Sequence, residues 1–235
     1  MAPAVDERPL IELIDVTRHF ISPTGASYTA LRNFNLSVAP GEFVAVVGPT
    51  GCGKSTTLNL ITGLAKPSGG DVRVMGETVT GTDKRIGFVF QTDALFPWRN
   101  VLRNVAAGPL FRGMAKTTAY ELARSWIARV GLNGFENHYP HQLSGGMRKR
   151  VTLAQTFINN PTILLMDEPF SSLDAQTRIV MQDELWRYGR PRMHRSSSSH
   201  TISKKQSRLP TVSTSSPLDR QPSNPSTTFI CRVRA

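Results

Sequence analysis

Two short stretches hold the residues best suited to chemistry. The first is GPTGCGKST, residues 48–56, where a lysine and two hydroxyl residues follow closely spaced glycines. It fits the pattern G-x-x-x-x-G-K-S/T, follows an apolar run and opens a helical one, which is the context that pattern needs. Gly48, Gly51 and Gly53 let the backbone wrap a phosphate chain, and N–H groups at the helix start point at the anion. Lys54 then reaches the β- and γ-phosphates and Ser55 ligates Mg²⁺. Pro49, Thr50, Cys52 and Thr56 complete the cofactor-binding set, with Cys52 a small passenger rather than a nucleophile. The second stretch is ILLMDEP, residues 163–169, four apolar residues followed by two acids. A buried strand there delivers Asp167 and Glu168 at its carboxyl end, where ligands bind in open α/β sheets. Asp167 can hold Mg²⁺ through water and Glu168 can polarise an attacking water. An acidic pair alone is often a helix cap; behind a phosphate loop it reads as a catalytic pair. The chemistry implied is hydrolysis of a nucleoside triphosphate.

The elements that must position these groups follow from periodicity. LIELIDV (10–16) and YTALRNFNLSV (28–38) read as two strands joined through Pro23, Thr24 and Gly25. GEFVAVVG (41–48) is a buried strand. A helix over 54–64 places Leu58, Ile61 and Leu64 on one side. DVRVMGETV (71–79) is a hairpin turning near Gly76, and IGFVF (86–90) is another buried strand. Residues 100–130 are predicted helical, with Ala119, Leu122, Ala123, Trp126, Ile127 and Val130 forming a core stripe. A helix from about Ser144 to Ile158 turns Met147, Val151, Ala154 and Ile158 inward. After the strand at 161–169, AQTRIVMQDELWR (175–187) is an amphipathic helix.

The bulk composition excludes several classes. There are 235 residues with 39% hydrophobic content, enough for one sizeable domain. No apolar run reaches the ~18 residues of a transmembrane helix, and the N-terminus lacks the apolar core of a signal peptide. Two cysteines, Cys52 and Cys231, suggest neither a disulfide framework nor a metal site. The net charge of +11 invites a nucleic-acid partner, but its distribution argues against one. Residues 1–187 hold 19 Lys and Arg against 16 Asp and Glu, while residues 188–235 hold 9 against 1. The basicity belongs to the tail and reads as a solvated charge excess.

Between the two motifs lies LSGGM (143–147), with Ser144, Gly145 and Gly146 at a helix start ready for an anion. This order resembles ABC-type ATPases, whose signature usually has glutamine where Met147 stands. The methionine variant, FQTDALFPWRNVLRNV (90–105) and YPHQLSGGMRKRVTLAQTFINNPTILLMDEPFSSLDAQTR (139–178) are similar to the subfamily serving nitrate, sulfonate and taurine importers. The resemblance covers roughly residues 8–187. It implies an α/β P-loop NTPase fold of ABC ATPase type, with an antiparallel β subdomain and a helical subdomain at about 93–158. It further implies that ATP and Mg²⁺ are the cofactors. Phe20 sits where the family stacks an aromatic on adenine, and Gln91 where it senses Mg²⁺ and the γ-phosphate. Ser144, Gly145, Gly146 and Asp174 fall on the face that meets a second ATPase subunit, two chains enclosing two ATP molecules head to tail. Phe96, Pro97, Trp98 and Arg99 lie where the family meets its transmembrane permease. Phe96 and Trp98 suit that interface, though a core role fits the sequence equally. A solute-binding protein would be an indirect partner, and the subunit would sit peripherally on the cytoplasmic face of the membrane.

After Arg187 the pattern breaks. The family continues with a strand of the form VVFVTHD, whose histidine contacts the γ-phosphate, and a helix beginning EEA. In its place the chain has SSSSHTISKKQ, residues 196–206. His200 stands near the expected position but SSSSHTIS is no buried strand, so the switch role is not carried onto it. Four TCN serine codons read from the third base give NTC, which encodes Phe, Leu, Ile or Val. In the same frame, residues 200–206 permit Thr, His, Asp, Ile, Glu, Glu, Ala, and LPTVSTSS (209–216) permits LADRVYVL. The tail 188–235 therefore reads as an out-of-frame translation, disordered, low in complexity and basic by codon accident. The interior strand position beside the phosphate-loop strand is then expected to stand empty, with poor folding and no ATP turnover. Two other classes are weighed beside this one: a non-transport ABC ATPase that binds nucleic acid through the tail, and a non-catalytic ATP-binding remnant. Salt-sensitive DNA binding lost with the tail marks the first; binding without hydrolysis even beside the permease marks the second.

Overall fold

The computed structural model describes residues 9–23, 25–40, 42–49 and 51–167, together with two short segments at 211–213 and 228–233. Strand β1 (Ile11–Ile21) pairs antiparallel with β2 (Ser27–Val38) and, on its other edge, with β4 (Gly69–Val74). A two-residue turn at Met75 and Gly76, both at positive φ, folds β4 back on β5 (Glu77–Thr78). Positive φ at both turn positions suits the twist of a tight hairpin. This four-stranded antiparallel sheet runs β2-β1-β4-β5.

The second sheet contains β3 (Phe43–Val47), β6 (Ile86–Val89), β7 (Ile163–Met166), β8 (Thr211–Ser213) and β9 (Thr228–Val233), in the order β6-β7-β9-β3-β8. Helix α1 (Lys54–Ile61) packs between the sheets. Ile11, Leu13 and Val16 of β1, Val44 and Val46 of β3, Leu58, Leu60 and Ile61 of α1, and Ile163 and Leu165 of β7 share one core.

A helical unit separates β6 from β7. The continuous helical stretch expected over 100–130 is divided into α2 (Val101–Val105), α3 (Ala107–Phe111) and α4 (Lys116–Arg129). Gly113, at φ +84, ends α3 by taking a conformation most residues resist. Ala119, Ala123 and Ile127 recur at four-residue spacing and are fully buried, against Val151, Ala154 and Ile158 of α5 (Gly145–Phe157) and its C-terminal turn. Leu122 and Trp126 are partly buried beside them. On its other side α5 sends Leu153 and Phe157 onto Val89, Leu164 and Met166 of the sheet.

Two further expectations are corrected. Leu64 does not join Leu58 and Ile61: α1 ends at Ile61, Gly63 turns at φ +75, and Leu64 is more than half exposed. The interior strand position is not empty. β9, from the tail, runs antiparallel between β7 and β3, and β8 adds a parallel strand beside β3. The edges of β3 and β7 would otherwise leave a row of buried peptide groups unpaired. TFICRV, rich in β-branched and aromatic residues, is the run in the tail best fitted to take them up. The helix expected over 175–187 lies outside the described residues.

Candidate functional site

The topology brings the separate motifs to one edge. β9 is antiparallel to both β3 and β7, so β3 and β7 run parallel to each other, and β6 is parallel to β7. The carboxyl ends of all three strands therefore share an edge. Gly48 leaves β3 there, Phe90 and Gln91 leave β6, and Asp167 follows β7 with its N–H on the carbonyl of Val89 at 2.9 Å. Asp167 is 6% exposed.

Within the loop, Lys54 is buried at the first position of α1. Its ammonium donates to the carbonyls of Gly48 and Pro49, both at 2.6 Å, and lies 3.6 Å from Cys52 Sγ. Gly53 caps the helix at φ +94, where a Cβ would stand 2.7 Å from the carbonyl of Ala30. No side chain caps this helix start and no acid stands in its first turn, so its N-terminal N–H groups are suited to an anion. A buried lysine curled over loop carbonyls, an uncapped helix start and a buried aspartate at the next strand end fit a nucleotide phosphate chain with Mg²⁺. Ser55 is exposed and Thr56 half-buried on the same turn.

Phe20 lies near the end of β1, 42% exposed, with the guanidinium of Arg18 4.8 Å from its ring centre. Its cross-strand neighbour Tyr28 donates its hydroxyl to the carbonyl of Gly51 at 2.9 Å. Sequence reading missed Tyr28. Its only signal is its register opposite Phe20, which a sequence does not display.

The start of α5 faces differently. Ser144 is its N-cap, its hydroxyl accepting from the N–H of Met147 at 3.2 Å, with Gly145 and Gly146 in the first turn. Arg148 bonds Asp93 at 3.0 Å and the carbonyl of Leu143 at 2.8 Å. Gln91 is exposed, beside Lys149, whose ammonium reaches its carbonyl. Thr50, Glu168 and Asp174 lie outside the described residues.

Phe96, Trp98 and Phe111 form an aromatic cluster, with Arg99 over the rings of Phe96 and Phe111 at 4.9 and 5.3 Å. Phe96 is half-buried; Trp98 is 71% and Phe111 69% exposed. The loop is held by fully buried Asn104, which accepts from Phe96 N–H at 2.8 Å. The same side chain donates to the carbonyls of Phe96, Arg99 and Asn100 at 3.1, 2.8 and 3.1 Å. Asn104→Ala is expected to lower stability by about 2–3 kcal/mol, because several loop groups lose partners at once. A shift of the urea midpoint with unchanged slope is the check. Away from this face, a hydrogen bond from Arg85 holds the carboxyl of Asp83 below its ordinary range.

These features define an α/β protein whose anion-suited loop and buried aspartate gather at the carboxyl edge of one sheet. Comparison with known proteins makes the class specific. The ABC transporter family model matches residues 31–171. An uncharacterized ABC transporter ATP-binding protein, MJ0412 of Methanocaldococcus jannaschii, is 50% identical over 161 residues, 68% of this chain and 60% of that protein. The nitrate import ATP-binding protein NrtD of Synechocystis sp. is 43% identical over 175 residues, 74% of this chain and 65% of its own length. The taurine import ATP-binding protein TauB of Yersinia pestis is 47% identical over 161 residues, 67% and 63% respectively. The dimeric ATP-binding cassette MJ0796, in a post-hydrolysis state bound to ADP and Pi, superposes with a TM-score of 0.71 at 35% identity. The superposition covers 76% of this chain and 82% of that one. The chain belongs to the ABC transporter family. It spans 60 to 65% of the length of these curated relatives.

Proposed function

We propose that this chain is the ATP-binding subunit of an importer for nitrate, sulfonate, taurine or a related small solute. The observation that carries the reading is the convergence of Lys54, Gln91 and Asp167 on one sheet edge, with an exposed aromatic loop a few residues after Gln91. Kinship with nitrate and taurine import subunits supports the solute class.

The nucleotide-binding unit spans residues 1–187, its helical part about 93–158. Lys54 and the N–H groups of residues 51–56 hold the phosphates, and Phe20 packs on the base. Ser55, Gln91 and Asp167 hold Mg²⁺, which when bound neutralises phosphate charge and orients the terminal phosphate. Glu168 accepts a proton from the attacking water. Ser144, Gly145 and Gly146 offer a helix start to the nucleotide of a second subunit, and Asp174 joins that interface; the dimeric cassette supports this arrangement. The chain sits peripherally on the cytoplasmic face, and a solute-binding protein completes the system. Among the described residues no helix is long and apolar enough to cross a membrane. A transmembrane permease supplies the solute path.

Residues Phe96, Pro97, Trp98 and Arg99 dock on that permease. An exposed tryptophan backed by a rigid loop has the character of an interface hot spot. Trp98→Ala is expected to weaken sedimentation with membranes carrying a nitrate- or taurine-type permease by tenfold or more, about 1.4 kcal/mol. Equal recovery of the unsubstituted chain with permease-free membranes contradicts the docking role. The tail 188–235 is an out-of-frame translation, and the loss of the histidine strand removes turnover from this chain.

A further inference from the structure

Helix α5 begins against the usual charge preference. It has no acid in its first turn, yet Arg148, Lys149 and Arg150 stand in its first two turns, where the positive end of the helix disfavours cations. Each cation is spent on a carbonyl of a neighbouring loop. Arg148 takes Leu143 and Arg150 takes Val130 and Gly131, both from partly exposed positions. Lys149 differs in being 1% exposed. Its ammonium donates to the carbonyl of Phe90 at 2.7 Å and of Gln91 at 3.2 Å.

Burying an ammonium is costly, and an apolar side chain of similar volume often serves stability as well or better. A cation kept at such a position is better explained by what it holds. Lys149 holds the two peptide units from which the side chain of Gln91 projects. Two residues on, Asp93 is tied to Arg148 of the same helix turn. The loop leaving β6 is thereby stitched at two points to the start of α5.

The geometry points to Lys149 as a positioning residue for Gln91. By fixing the Phe90 and Gln91 carbonyls, it sets where the Gln91 amide stands relative to the phosphate loop and Asp167. Its role is exerted through the backbone of Gln91. This rests on the reading of Gln91 as a Mg²⁺-sensing group. A consequence is that Gln91 and the Ser144–Gly146 helix start shift as one unit.

The test is titration of the full chain with a fluorescent N-methylanthraniloyl ATP analogue, once with Mg²⁺ and once with EDTA, alongside thermal melts. The variants are Gln91→Ala, Lys149→Met and Lys149→Gln. With EDTA the two Lys149 variants are expected to bind like the parent, since Lys54 and its loop are untouched. The Mg²⁺-dependent gain in affinity is expected to fall by about tenfold in Gln91→Ala and Lys149→Met, the low end for removing an outer partner of a metal ligand. Lys149→Gln, too short to reach both carbonyls, is expected to fall in between and serves if the methionine variant does not fold. If Gln91→Ala loses the gain while either folded Lys149 variant keeps it in full, the role of Lys149 is overturned. If Gln91→Ala keeps the gain, the reading of Gln91 fails and the proposal with it.

Discussion

Lys54→Ala is expected to abolish ATP binding while leaving a folded protein. The ammonium is the one cation of residues 48–56, and it is buried over the carbonyls of Gly48 and Pro49. A hydrogen bond to a charged group contributes about 1.5–3 kcal/mol. Losing two such bonds to phosphate oxygens, about 3–6 kcal/mol, corresponds to roughly a hundredfold to more than ten-thousandfold in affinity. Saturating ATP at a hundred times its dissociation constant would stabilise the parent by about 2.7 kcal/mol. The variant should show no such rise in melting temperature. Its ligand-free melting temperature should fall only slightly, because the bonds it loses are to loop carbonyls that water can reach: Gly48 is half-buried and Pro49 exposed. Retained ATP-dependent stabilisation would remove Lys54 from the site.

The second large effect concerns turnover. The chain is expected to fold and bind ATP but not to hydrolyse it. Sequence alone suggested that it would fold poorly, because β3 and β7 had no partner between them. β9 supplies that partner, pairing with Phe43–Val47 on one side and Ile163–Met166 on the other, so that objection to folding falls. The expectation of lost catalysis rests on the sequence: after Arg187 no apolar run ends in a histidine as the missing strand would. Removing a single preorganised donor to developing charge commonly costs 10²–10³ in rate, about 2.7–4 kcal/mol. Replacing residues 196–216 by the sequence permitted one frame away, with its strand, histidine and helix, is therefore expected to raise phosphate release at least about a hundredfold. Equal rates before and after the replacement would show that the tail's strands serve as well.

What was legible in the sequence follows from the range of the forces involved. The phosphate loop was readable because its glycines, lysine and serine are contiguous and each answers a local demand. β7 was readable because a strand buried along its whole length leaves an unbroken apolar run, and β3 and β6 carry similar apolar runs in the sequence. The stripe Ala119, Ala123 and Ile127 follows from helical period alone. The breaks at Ala106 and Gly113 were not readable, since helical spacing continues across them. Tyr28 was invisible as a loop contact because the contact depends on cross-strand register and on where β3 delivers Gly51. Lys149 carries no mark in the sequence that separates it from Arg148 and Arg150, and only burial against Phe90 and Gln91 distinguishes it. TFICRV was passed over inside a tail judged by its serines and arginines, because its pairing is decided by what β3 and β7 lack.

The most direct measurement is ATP binding and phosphate release on one preparation of this chain, with Lys54→Ala beside it. The expected result is saturable, Lys54-dependent binding with phosphate release no faster than in the variant. Absence of binding would contradict the phosphate-loop assignment. Lys54-dependent phosphate release would contradict the claim that the tail has cost this chain its turnover.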